Sequence, residues 1–105
     1  MGVTINYLST FNNLINLNYG DKVAFFKFGS DWCIPCTELD KILVNIPNSI
    51  IYYISVENEN FESYLIENKI YTVPYTLIKF DKKIKKIVGV HNAHDIQLYI
   101  EELKK

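Results

Sequence analysis

The stretch VAFFKFGSDWCIPCTELDKIL, residues 23–43, contains the only two cysteines of the chain, Cys33 and Cys36, between two different hydrophobic patterns. The apolar run at residues 23–28 predicts a buried strand. The apolar residues after the pair recur at helical spacing instead: Leu39, Ile42, Leu43 and Ile46. We therefore expect the cysteines where a strand leads into a helix, and free backbone N–H groups and the helix dipole favour a thiolate there.

A pair of thiols at a helix N-terminus can carry out thiol–disulfide exchange. One thiolate attacks a disulfide of another molecule, and the second sulfur then closes an internal disulfide. Because Cys33 opens the helix and Cys36 lies one turn deeper, we predict that Cys33 is the nucleophile and Cys36 the resolving thiol.

The rest of the chain alternates between strand and helix patterns. Strands are expected at residues 3–7, 22–28, 50–56, 75–80 and 84–90. Helices are expected after Ser9 or Thr10, from the cysteine pair to about Asn45, from Phe61 to about Asn68, and after the cap Asn92. The order β-α-β-α-β-α-β-β-α predicts an α/β fold with a mixed central sheet and helices on both faces. We expect residues 1–105 to form one domain.

Composition narrows the class of protein. The 105 residues are 49% hydrophobic and carry a formal net charge of −1, so no nucleic-acid partner is expected. No secretory signal and no apolar run of membrane-spanning length is visible, so we expect no membrane association and a cytoplasmic location. In a reducing cytoplasm, a lone cysteine pair is more often catalytic or metal-binding than structural.

Three motifs in the expected elements resemble those of thioredoxins, and the resemblance covers essentially the whole chain. They are Trp32-Cys33-Ile34-Pro35-Cys36 after the second strand, Val73-Pro74 before the fourth, and Gly89 at the end of the fifth. The resemblance implies the thioredoxin fold and a dithiol enzyme that reduces protein disulfides. It also implies a thioredoxin-reductase-type electron donor. We expect a monomer without cofactor or metal.

The resemblance also implies roles for individual residues. Cys33 would be the exposed nucleophile and Cys36 the buried resolving thiol. The Val73–Pro74 bond would be cis and would lie against the cysteine pair. The surface that contacts the substrate would comprise six residues: Trp32, Ile34, Pro35, Val73, Pro74 and Gly89.

The most important departure from the family is Lys27, which stands where thioredoxins usually have a buried aspartate. Lys27 either reaches solvent or lies beneath the cysteine pair, where it would modulate the protonation of Cys36. Two other functions stay open: a thioredoxin-fold binding or scaffold module with weak turnover, and a glutaredoxin-like enzyme that uses glutathione. A metal site would need further ligands, and we expect the two other candidates, His91 and His94, to face solvent.

Overall fold

The computed structural model describes residues 3–8 and 17–105, and within these ranges it contains five strands and three α-helices. The strands are β1 (Val3–Leu8), β2 (Val23–Gly29), β3 (Ser49–Ser55), β4 (Tyr75–Phe80) and β5 (Lys83–Val88). The helices are α1 (Ile34–Leu43), α2 (Glu62–Glu67), which follows a 3₁₀ turn at Glu59–Phe61, and α3 (Ala93–Leu103). The helix predicted after Ser9 or Thr10 lies outside the described residues.

The five strands form one mixed sheet in the order β1-β3-β2-β4-β5. β3 runs parallel to both β1 and β2, whereas β4 is antiparallel to β2 and to β5. The predicted α/β class and mixed sheet are therefore confirmed. β5 ends two residues earlier than expected because Gly89 adopts a φ of 84°, which turns the chain out of the strand.

Two hydrophobic layers cover the sheet, and β2 is buried throughout because it belongs to both. Its residues Val23 and Phe25 pack in the layer that contains α1 and α3, while Phe26 and Phe28 pack in the layer that contains α2. Side chains alternate along a strand, so Lys27 lies on the same face as Phe25, under α1.

Helix α3 begins where the sequence predicts. The Asn92 side chain accepts a hydrogen bond of 2.8 Å from the Asp95 backbone N–H, which confirms the predicted cap. The buried face of this helix consists of Ile96, Ile100 and Leu103, with Tyr99 half-buried beside it. Among the described helices, none is both long and apolar enough to cross a membrane.

Candidate redox site

Cys33 and Cys36 form a disulfide at the beginning of α1, with their Cα atoms 5.2 Å apart. Cys33 is the N-cap residue in extended conformation, and its sulfur accepts a hydrogen bond of 3.2 Å from the Cys36 backbone N–H. Pro35 occupies the second helical position, where a backbone N–H would have no partner within the helix. The pair therefore lies at a strand-to-helix junction, as its place in the sequence predicts.

The two sulfurs differ less in exposure than the family resemblance implies. Cys33 is only 5% exposed and Cys36 1%, so the prediction of an exposed Cys33 is wrong for this oxidised state. The Cys33 sulfur is bonded to Cys36 and also caps the helix, which holds it against the protein. The neighbouring side chains do face solvent, since Trp32 is 68% and Ile34 73% exposed.

Residues Val73, Pro74 and Gly89 come together at the same end of the sheet. The Val73–Pro74 bond is cis, as predicted, and the Gly89 backbone N–H donates a 2.9 Å hydrogen bond to the Pro74 carbonyl. Phe28 at the end of β2 pairs with Tyr75 at the start of β4. Pro74 therefore lies at the sheet end from which the chain leaves β2 toward the cysteines.

Lys27 is buried under α1 and does not reach bulk solvent. It is 5% exposed, and its Nζ lies 2.7 Å from Asp40 Oδ1 on α1. The same amine lies 5.1 Å from the centre of the Tyr53 ring on β3. The structure thus rejects the solvent-reaching alternative and places Lys27 beneath the cysteine-bearing helix.

Gly29 brings the Lys27 amine close to the Cys36 sulfur. A methyl group added at Gly29 would lie 2.9 Å from Lys27 Nζ and 3.0 Å from Cys36 Sγ. Because both atoms are that close to a single point, the amine and the sulfur are no more than about 6 Å apart, a range in which charges affect each other's ionisation.

A cavity of about 460 Å³ opens beside the ion pair, between α1 and the β1–β3–β2 side of the sheet. Its wall includes Lys27, Gly29, Asp40, Ser30 and Tyr53. A water molecule takes about 30 Å³ in the liquid, so the cavity has room for several. The cavity gives the ion pair, but not the disulfide itself, a path to solvent.

Sequence reasoning missed Asp40 and Tyr53, although the pattern contains a signal for both. Asp40 follows Cys36 by four residues, so the two share one face of α1. Tyr53 is the partner of Lys27 in the β2–β3 register. A charged residue on a buried strand indicates that a partner of opposite charge should be sought on the helix that covers that face.

The surroundings of Tyr53 indicate how the stability of the folded protein should change at alkaline pH. Burial, followed by the negative charge of Asp40 and the presence of Tyr7, raises the pKa of Tyr53 from 10.0 to about 12. The unfolded chain therefore loses this proton first, and stability should fall as the pH rises from about 10 to about 12. We expect Tyr53→Phe to lose stability less steeply than the parent in urea titrations across that interval. Equal slopes would contradict the assignment.

The histidines lie elsewhere. His94 is exposed as predicted, but His91 is half-buried, and its ring nitrogens contact Tyr99 Oη at 3.1 Å and the Val88 carbonyl at 3.0 Å. The expectation that His91 faces solvent is therefore wrong. Within the described ranges, no cluster of three or more His, Cys, Asp or Glu side chains is arranged to hold a metal ion.

The fold and the disulfide at a helix N-terminus define a thioredoxin-fold protein with a Cys-x-x-Cys centre. No family model matches the chain. Mitochondrial thioredoxin-2 of Schizosaccharomyces pombe is 29% identical over 89 residues, which cover 81% of this chain and 66% of that protein, just under two thirds of its length.

Solved structures agree on the fold. Chloroplastic thioredoxin z has a TM-score of 0.78 at 16% identity, with 99% of this chain and 97% of that chain covered. Oxidised thioredoxin O2 of Arabidopsis thaliana has a TM-score of 0.75 at 21% identity, with 97% and 96% covered. The chain therefore has the thioredoxin fold.

The comparison corrects one prediction. The S. pombe relative is a mitochondrial protein, and it overturns the predicted cytoplasmic location. That prediction rested on the absence of a secretory signal and of a membrane span. Neither absence distinguishes the cytosol from other compartments.

Proposed function

We propose that this chain is a thiol–disulfide oxidoreductase that reduces protein disulfides through Cys33 and Cys36. The observation that carries the proposal is the Cys33–Cys36 disulfide at the N-terminus of α1. In the reduced protein, the same backbone N–H groups and helix dipole favour a thiolate at Cys33. The thioredoxin relative supports this activity.

The reaction takes two exchange steps. The Cys33 thiolate attacks one sulfur of the substrate disulfide, and the other substrate sulfur leaves as a thiolate. Cys36 loses its proton and attacks Cys33 Sγ, which breaks the mixed disulfide and releases the second substrate thiolate. The substrate gains two electrons and two protons, and the protein becomes the Cys33–Cys36 disulfide. A thioredoxin-reductase-type donor returns both electrons.

The proposed substrate surface surrounds the disulfide. Trp32 and Ile34 supply exposed apolar area beside Cys33. Pro35 is exposed on the first turn of α1, and Val73 is half-buried. Gly89 carries no side chain beside the Pro74 carbonyl, so an extended substrate segment could approach the backbone there. An apolar, open surface of this kind suits varied protein segments rather than one small ligand.

Lys27 has a proposed role in the second step. Its amine is buried within about 6 Å of Cys36 Sγ, and a positive charge at that distance favours the thiolate over the thiol.

Insulin reduction tests the proposed function and its alternatives together. With NADPH and a thioredoxin reductase, we expect NADPH oxidation that rises in proportion to the concentration of this protein. The protein alkylated after reduction is the control and should give no turnover. Turnover supported only by glutathione and glutathione reductase would favour a glutaredoxin-like enzyme. Absence of turnover with either donor would favour a binding or scaffold module.

A further inference from the structure

We propose that Asp40 is the proton acceptor for Cys36 during the resolving step, with Lys27 as the group that holds its carboxylate in place. The inference rests on the proposed dithiol function. It assigns the loss of the Cys36 proton to a named carboxylate and gives that proton a route to solvent through the cavity beside α1.

The geometry brings together the Cys36 sulfur, the Asp40 carboxylate and the Lys27 amine beneath α1. Cys36 and Asp40 lie one turn apart on α1, and side chains at that spacing are neighbours, with Cβ atoms about 5–6 Å apart. Lys27 Nζ lies 2.7 Å from Asp40 Oδ1 and within about 6 Å of Cys36 Sγ. The carboxylate is therefore fixed near the sulfur by a partner that comes from the sheet.

The Asp40 side chain faces both the Lys27 amine and the cavity. The Oδ1 atom is buried and lies close enough to Lys27 Nζ to form an ion pair. None of the described residues meets the geometric criteria for a hydrogen bond to this atom. The rest of the side chain is half-buried and lines the cavity. The Ser30 hydroxyl, also buried without a hydrogen-bond partner in the described residues, lines the same cavity. Polar groups in such a cavity are the usual partners of internal water.

Within residues 3–8 and 17–105, the charged and titratable groups around Asp40 come from four parts of the chain. Lys27 faces it from β2, Tyr53 from β3 and Tyr7 from β1, while Asp31 lines the cavity from the loop before α1. Tyr53 stays protonated at neutral pH, since its pKa is raised to about 12. Asp40 is therefore the carboxylate held next to the Lys27 amine and on the Cys36 face of α1.

The proposed step is balanced. The Cys36 thiol gives its proton to the Asp40 carboxylate, and the Lys27 ammonium stabilises the resulting thiolate. The Cys36 thiolate forms the bond to Cys33 Sγ as the bond from Cys33 to the substrate sulfur breaks. The substrate thiolate then takes up a proton from solvent, and Asp40 returns its own proton to the cavity water.

The intramolecular step can be followed with Ellman's reagent as the disulfide substrate. The reduced protein should release one thionitrobenzoate when Cys33 reacts and a second one when Cys36 displaces the first adduct. Asp40→Asn should slow only the second release, by about a hundredfold at neutral pH. The deficit should disappear above about pH 9, where thiols ionise without a proton acceptor. Glu38→Gln removes the same charge from an exposed position of α1 and is the matched control, with no expected change.

Other outcomes separate the explanations. If the parent protein does not release the second thionitrobenzoate, the proposed dithiol function itself is wrong. If it does, an equal deficit of Asp40→Asn at every pH would show a merely structural role and overturn the proposal. A faster second release would also overturn it, because the unpaired Lys27 charge would then account for thiolate formation alone.

A second variant keeps the test valid if Asp40→Asn does not fold. The double variant Lys27→Met, Asp40→Asn removes both charges, so no buried charge is left without a partner. The proposal predicts that its second release is slower at neutral pH than that of Lys27→Met and recovers at high pH. A second release at the Lys27→Met rate across the pH range would overturn the proposal.

Discussion

Replacing Cys33 with Ser should abolish insulin reduction, with a loss of at least about a thousandfold in turnover. A serine hydroxyl is not ionised at neutral pH, so the helix N-terminus has no thiolate to present to a disulfide. The remaining Cys36 lies one turn deeper in α1 and, at 1% exposure against 5% for Cys33, is the less accessible of the two cysteines. The measurement is the rate of NADPH oxidation with a thioredoxin reductase.

Replacing Cys36 with Ser should give a different defect, because the first exchange needs only Cys33. The substrate should remain attached through a mixed disulfide, visible by mass spectrometry under non-reducing conditions and absent after reduction. Glu38→Gln, on the exposed side of α1, should turn over insulin like the parent. A mixed disulfide on Cys36, or turnover by the Cys33→Ser variant, would reverse the assigned roles.

Most of the fold could be predicted from sequence because its decisive patterns are local. The unbroken apolar run of β3 predicts a strand buried between two neighbours, and it pairs with β1 and β2 in parallel. The turn at Asp81, which has a φ of 56°, joins the predicted hairpin of β4 and β5. The ends of strands and helices were predicted less accurately, since they depend on backbone conformations such as that of Gly89.

The candidate site was predictable in part for the same reason. The cysteine pair is a local motif, and its place at the start of α1 follows from the patterns on either side. The Lys27–Asp40 ion pair joins residues from β2 and α1, so it depends on how the helix lies on the sheet. Hydrophobic periodicity cannot show whether a lysine on a buried strand bends toward solvent or finds a carboxylate.

Removing either partner of the buried Lys27–Asp40 ion pair should lower the free energy of unfolding, and the two single variants should differ in cost. Asp40→Ala leaves the Lys27 ammonium, which is 5% exposed, without its partner, and we expect a cost of about 3 kcal/mol in the free energy of unfolding. Lys27→Met should cost only about 1 kcal/mol, because the half-buried Asp40 carboxylate can still be hydrated through the cavity. Both costs are large against a typical total of about 5–15 kcal/mol.

The double variant Lys27→Met, Asp40→Ala completes a mutant cycle that measures the interaction itself. With both charges removed, the cost should be about 1–2 kcal/mol. The sum of the two single costs should therefore exceed the cost of the double variant by about 2 kcal/mol or more. Urea unfolding of the oxidised proteins provides the measurement, and Glu38→Ala, an exposed change on the same helix, should stay within about 0.5 kcal/mol of the parent. Additive single costs would show that Lys27 and Asp40 are not coupled. The amine would then not hold the carboxylate beside Cys36, and the proposed proton transfer would lose its geometric basis.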